Sequence, residues 1–228
     1  MAEDAYLLAV GSHKGGTGRT TAALALAWLW GGDGLRVTLA DADPGRAAGL
    51  IARGPDGTCP WPNVRFVEGV PEPGDPALDA DVCLIDCPLL LTREAGTILR
   101  RADGVVITCL ADPLSLRTVP AAAGALAAAR VDNPRLQLIG VLIGAYTATD
   151  PVQAPMLGRM RQMQGELLLE PPIPDDRAVR DWALTPGAGL PPGRGADAFA
   201  AVGRRVRDLV RQLSRVALAA RPAADGGE

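Results

Sequence analysis

The chain has 228 residues, enough for one α/β domain with a substantial core, and with 48% hydrophobic but only 4% aromatic residues that core must be made of Ala, Leu, Val and Ile. A formal net charge of −3 excludes a globally basic nucleic-acid binder, so any such binding has to come from a local patch. The four cysteines, Cys59, Cys83, Cys87 and Cys109, include no C-x-x-C pair, and the single histidine, His13, lies in a glycine-rich loop; this argues against a zinc or iron–sulfur site within one chain and for small buried thiols in a reducing cytoplasm.

The most informative stretch comes first. Tyr6-Leu7-Leu8-Ala9-Val10 is an apolar run of strand length, and it feeds Gly11-Ser12-His13-Lys14-Gly15-Gly16-Thr17-Gly18-Arg19-Thr20-Thr21 before the helix-forming run Ala22 to Ala27. Gly15, Gly16 and Gly18 give the backbone the freedom to aim successive N–H groups at a phosphate on a helix N-terminus. Thr20 then falls where a P-loop hydroxyl coordinates Mg²⁺. A glycine-rich turn holding nothing is the alternative, but the register between a strand and a helix argues for phosphate. These residues resemble the deviant Walker A box, K-G-G-x-G-K-[ST]-T, of the ParA/MinD family of small ATPases. The resemblance implies a P-loop NTPase fold, with ATP and Mg²⁺ held by Lys14, Gly15, Gly16, Thr17, Gly18, Arg19, Thr20 and Thr21. It also implies that Lys14 reaches across a homodimer to the partner's phosphates. Arg19 stands where the family has lysine, and a planar guanidinium cannot sit at the same point as an ammonium. Lys14 is the one lysine in the chain.

After a turn at Gly31-Gly32-Asp33-Gly34, Arg36 to Ala40 reads as a second strand ending in Asp41-Ala42-Asp43-Pro44. Carboxylates at the carboxyl end of a parallel strand face the ligand crevice. The segment resembles the family's D-x-D-P switch, although Gly45 follows where glutamine is usual. By that resemblance Asp41 supports the Mg²⁺ shell through water and Asp43 orients the attacking water. Capping of a helix that starts near Gly45 is the alternative. Residues 53–63 are rich in Gly and Pro and predict an irregular surface loop; Val64 to Val67 is a short strand and 69–79 a turn-rich link.

Val82-Cys83-Leu84-Ile85-Asp86 reads as a Walker B-like strand ending in its aspartate, with Asp86 as a third group for the Mg²⁺ shell and Asp86-Cys87-Pro88 resembling the family's D-x-P. Gly104 to Leu110 is a buried strand ended by Asp112-Pro113, and Leu114 to Arg130 is an alanine-rich helix that Pro120 breaks early. Gln137 to Ile143 is another central strand, 150–166 is helical and carries Arg159 and Arg161, and Pro172-Ile173-Pro174-Asp175 resembles the family's adenine-side loop, with Pro174 and Asp175 bordering the base. Strands alternating with helices predict a doubly wound, mostly parallel sheet.

A loop over 185–195 precedes a last helix from about Ala196 to Ala219. Phe199, Val202, Val206, Leu209, Val210, Leu213 and Val216 share one face, and Arg204, Arg207, Arg211 and Arg215 cluster opposite. Three readings compete: a solvated surface on a docked helix, a DNA-phosphate patch together with Arg177 and Arg180 and extended by Arg159 and Arg161, or a detachable membrane helix of the MinD kind, the last disfavoured by a valine- and leucine-rich face without tryptophan. The expected organisation is one ATPase domain over 1–220 and a disordered tail over 221–228. No leader and no run of the ~18 apolar residues of a membrane span point to a soluble, cytoplasmic, nucleoid-associated protein. The short form of ParA is the nearest resemblance, implying nonspecific DNA and a ParB-like or other stimulating partner.

Overall fold

The computed structural model describes residues 5–219, apart from the side chains of 119–120 and 214–219. Strand β1 (Tyr6–Ser12) lies in the middle of a seven-stranded sheet formed with β2 (Val37–Asp41), β3 (Val64–Glu68), β4 (Val82–Leu89), β5 (Gly104–Cys109), β6 (Gln137–Ile143) and β7 (Leu168–Leu169), in the order β3-β2-β4-β1-β5-β6-β7. The sheet is parallel at every described pairing, not only mostly so. Parallel strands need both faces covered, and residue alternation supplies the two cores. Leu8, Val10, Leu39 and Leu84 point to one core, while Ala9, Ala40, Ile85 and Val105 point to the other. From β1 the chain first fills one flank with β2 and β3, then crosses over after β4 to fill the other. This reversal opens the crevice at the carboxyl ends of β1 and β4.

Helix α1 (Arg19–Gly32) is buried from Ala22 to Ala27 because it is sandwiched between the sheet and α7 (Arg194–Ala219). The expected apolar face of α7 carries that packing: Phe199, Val202, Val206 and Val210 are buried and Leu209 and Leu213 partly so, while the side chain of Val216 lies outside the described residues. The indole of Trp30 donates to the Gly203 carbonyl at 3.1 Å and fixes α7 along α1. The tail 221–228 also lies outside the described residues. Among the described residues no helix is long and apolar enough to cross a membrane. Cys83, Cys87 and Cys109 are buried free thiols, whereas Cys59 is only partly covered.

Three expectations are corrected. Pro120 does not break its helix: α4 (Pro113–Asp132) runs 20 residues without interruption, since one missing N–H removes one bond and Asp112 caps the start by accepting from Ser115 N–H at 2.6 Å. β4 does not end at Asp86 but continues to Leu89, paired with Ser12 beyond a register shift between the two strands. The 53–63 stretch is not wholly a surface loop. Trp61 is 5% exposed and stacks on Trp182 with centroids 5.7 Å apart, and its indole donates to the carbonyls of Gly187 and Ala188 at 3.0 and 3.1 Å.

Two turn-rich stretches thus fold onto each other, and α2 (Ala47–Ala52) is tied in as Gly187 N–H donates to the Ile51 carbonyl at 2.8 Å. Truncating Trp61 deletes a buried indole and takes its donor from the Gly187 carbonyl, while the Ala188 carbonyl still accepts from the Trp182 indole at 3.0 Å. Trp61→Ala is expected to lower the unfolding free energy by about 3–5 kcal/mol in urea denaturation, with Trp61→Phe recovering much of the loss.

Candidate functional site

The loop between β1 and α1 has the conformation its glycines were expected to permit. Gly16 and Gly18 take φ of 75° and 84°, in the left-handed region, and Gly18 is the residue before α1. A Cβ at Gly15, Gly16 or Gly18 would meet nothing within 4 Å, so the loop is open on the side a ligand would occupy. The first turn of α1, with Arg19, Thr20 and Thr21, leaves N–H groups without intrahelical partners at the positive end of the helix dipole.

Thr17 faces the other way. It is 2% exposed, its hydroxyl lies 2.8 Å from that of Thr108 on β5, and it also donates to the Lys14 carbonyl at 3.4 Å. Ser12 donates to the same carbonyl at 2.9 Å. These hydroxyls pin the loop from beneath, which leaves the Thr17 N–H, not its side chain, for a phosphate.

Three carboxylates gather beside the loop. Asp41 and Asp86 are in register on the adjacent strands β2 and β4, and Asp86 is in register with Val10 of β1. Asp86 is fully buried; burial pushes its carboxyl up to about 6 against the opposing pull of the Thr20 hydroxyl and Arg19, and its Oδ2 has no hydrogen-bond partner among the described residues. Asp41 accepts from Gly49 N–H at 3.0 Å and Asp43 N–H at 3.3 Å, the capping use that the sequence left open; burial nevertheless raises its carboxyl above the ordinary range. Asp43 accepts from Gly45 N–H at 2.8 Å with one oxygen and pairs with Arg19 Nη2 through the other. Arg19 also donates from Nε to Asp86 Oδ1 at 3.4 Å and from Nη1 to Ser12 Oγ at 3.2 Å.

Lys14 stands at the rim with its side chain 42% exposed and its Nζ 3.5 Å from Asp112 Oδ2 at the head of α4. On the next flank Ile173 N–H donates to Ile143, Tyr146 N–H to Ile173 and Asp175 N–H to Tyr146, which places Pro174 and Asp175 beyond the carboxyl end of β6. Gly144 there abuts the loop so closely that a Cβ would lie 2.4 Å from the Thr17 carbonyl. The Asp175 carboxylate is paired with Arg180. Among the described residues no group of three His, Cys, Asp or Glu could hold a metal by itself, so a cation here needs a ligand's oxygens besides Asp86 and Thr20.

The arginines separate. Arg204 and Arg211 are exposed on α7 as expected, and Arg205, outside the expected cluster, is exposed beside them. Arg207 is a correction. It turns inward to Asp33 at 2.5 Å and is 19% exposed, lining a cavity of about 350 Å³ with Tyr6, Trp30 and Val82 at the amino-terminal edge of the sheet, away from the carboxylates. The side chain of Arg215 lies outside the described residues. On α6 (Arg177–Asp181), Arg177 pairs with Asp181 at 3.2 Å; Arg161, at the end of α5 (Gln153–Gln164), pairs with Glu170 at 2.7 Å. Ser12, Thr108 and Asp112, which position Arg19, Thr17 and Lys14, went unassigned. A hydroxyl inside an otherwise apolar strand is the visible signal of Ser12 and Thr108, and an aspartate before the proline that opens a helix is that of Asp112.

A family model described as the CobQ/CobB/MinD/ParA nucleotide binding domain matches residues 8–185. The chromosome-partitioning ATPase Soj of Thermus thermophilus is 27% identical over 240 residues, covering 90% of this chain and 96% of Soj. Among solved structures, the septum site-determining protein MinD of Pyrococcus horikoshii, complexed with Mg-ADP, superposes with a TM-score of 0.71 at 19% identity over 92% of this chain and 98% of that one. An ATP complex of a Cyanothece McdA variant gives 0.69 at 14% identity over 93% and 97%. The family match runs from β1 through the phosphate loop and all three carboxylates to the segment beyond β7, and the chain belongs to the CobQ/CobB/MinD/ParA nucleotide-binding domain family.

Proposed function

We propose that the chain is a weak ParA-type ATPase: two copies close around ATP and Mg²⁺, the dimer binds DNA without regard to sequence and positions a plasmid, chromosome or other cargo, and a ParB-like or other partner stimulates hydrolysis. The observation that carries this reading is Lys14 at the head of an open, positive-φ glycine loop, with Asp41, Asp43 and Asp86 in the same crevice. The likeness to Soj, named a chromosome-partitioning ATPase, supports it, as do the nucleotides bound by the MinD and McdA structures.

The residues suit the nucleotide. Backbone N–H groups over Gly15–Thr21 cradle the phosphates, and the Thr20 hydroxyl with the unpartnered Oδ2 of Asp86 serves the Mg²⁺ shell, with Asp41 behind. When bound, Mg²⁺ offsets the charge on the transferred phosphoryl group. Asp43 holds the attacking water, Lys14 meets the partner copy's phosphates, and Pro174 with Asp175 borders the adenine. Placement and charge neutralisation are most of what phosphoryl transfer needs.

A membrane-surface ATPase of the MinD kind is the rival. The burial of Phe199, Val202, Val206 and Val210 favours DNA, because the face a lipid surface would need is already spent on α1 and the sheet. Arg204 and Arg211 then form the core of the DNA surface; Arg177 and Arg180 add to it, since exposed ion pairs worth under about 1 kcal/mol yield to a phosphate. Co-sedimentation with ATP is the test. The chain is expected to pellet with DNA and not with anionic liposomes, and the double variant R204E/R211E to lose DNA with a salt slope flatter by about 2 per copy. Pelleting with liposomes and not DNA overturns the reading.

A further inference from the structure

Arg19 sits where the family's loop carries lysine, and its charge is not turned to the open side of the loop. The guanidinium, 14% exposed, spans Asp43 on the loop after β2, Asp86 inside β4 and Ser12 at the end of β1. An ammonium is a compact point charge, whereas a planar fork with five donors can serve carboxylates on two elements at once. The crevice calls for such a cation: Asp43 and Asp86 both touch the one guanidinium, Asp41 lies in register beside Asp86, and Asp86 is shut off from solvent, where an unpaired carboxylate is costly.

On the reading of this crevice as a nucleotide site, we propose that Arg19 is a built-in counter-cation that latches the switch loop when no nucleotide is bound. The guanidinium holds the carboxylates that the proposed function assigns to the Mg²⁺ shell and to the attacking water. Arg19 and a Mg·nucleotide therefore compete for Asp86 and Asp43, and binding has to move the guanidinium away. Two consequences follow. The segment from Asp43 into the first turn of α2 is held in order by the latch, with Gly45, Arg46 and Gly49 N–H groups bonded to Asp43 Oδ1, the Asp43 carbonyl and Asp41. Nucleotide affinity is reduced by the population held in the latched state.

Hydrogen exchange on the full chain, treated with EDTA and free of nucleotide, tests the latch without relying on the nucleotide reading. Asp43→Asn keeps an acceptor for Gly45 N–H and removes the charge that Arg19 holds; Arg19→Lys keeps the charge and removes the fork. In both variants the amides of 43–49 are expected to exchange about tenfold faster or more, with β5 unchanged, as loss of a charge-assisted contact predicts. Calorimetry with Mg·ADP is then expected to show Arg19→Lys binding more tightly than the parent. Unchanged exchange in both variants overturns the latch even if Mg·ADP binds, and faster exchange with no gain in Mg·ADP affinity overturns its role as a gate. If neither parent nor variant binds Mg·ADP, the nucleotide reading fails and the gate with it, whatever the exchange shows. Should Arg19→Lys not fold, Asp43→Asn decides alone, because it acts at the more exposed end of the contact.

Discussion

Lys14→Ala is expected to yield a protein that folds as the parent does, remains one copy per particle with ATP, and hydrolyses ATP about 100-fold more slowly or worse. Lys14 is the rim cation of the loop, with its side chain 42% exposed and a single long contact of 3.5 Å to Asp112, so its removal barely touches the fold. The same exposure leaves its charge available to the phosphates held by a second copy. Removal of one preorganised donor from a transition state costs on the order of 10²–10³ in rate. Lys14→Arg should fail as well, because a bulkier fork does not reach the point an ammonium reaches. Light scattering and phosphate release, each with Mg·ATP, check the two halves. A Lys14→Ala protein that pairs and turns over like the parent would end the assignment of Lys14.

Asp43→Ala is expected to separate binding from turnover. Without a carboxylate to orient water, hydrolysis falls about 10²–10⁴-fold, while nucleotide still binds and the two-copy particle outlives that of the parent because it is not consumed. Asp43 suits this part better than its neighbours. It is 21% exposed at the mouth of the crevice, whereas Asp41 is committed to Gly49 and Asp86 is shut inside β4. Single-turnover phosphate release against gel filtration with ATP reads the two effects apart. Parent-like hydrolysis removes Asp43 from the chemistry.

Much of this arrangement was legible in the sequence because it is local. A strand, a glycine loop and a helix in succession are a matter of period and turn chemistry, and the end of β2 and the buried carboxylate within β4 announce themselves by apolar runs that meet aspartate. What lay hidden needs a partner far along the chain. Arg207 belongs to the polar side of its helix by rotation alone, yet Asp33, 174 positions away, draws it inward. Trp61 lies among glycines and prolines that signal a surface loop, and only the return of 182–190 covers it. β4 continues past Asp86 by taking one residue more than β1 between the pairs Val10–Asp86 and Ser12–Leu89, a register shift that the composition of neither strand records. Arg19 was visible as a departure from the family pattern, but its three contacts lie on three elements that only the sheet order brings together.

The indole stack also has a spectroscopic use. Trp61 and Trp182 lie 5.7 Å apart in a plate that is hydrogen-bonded to the end of α2, the helix that follows the switch loop. A change in the spacing of these two indoles would alter their ultraviolet emission, read over the contribution of the chain's other tryptophans, Trp28 and Trp30, so the fold carries an optical gauge beside the switch segment without any attached dye.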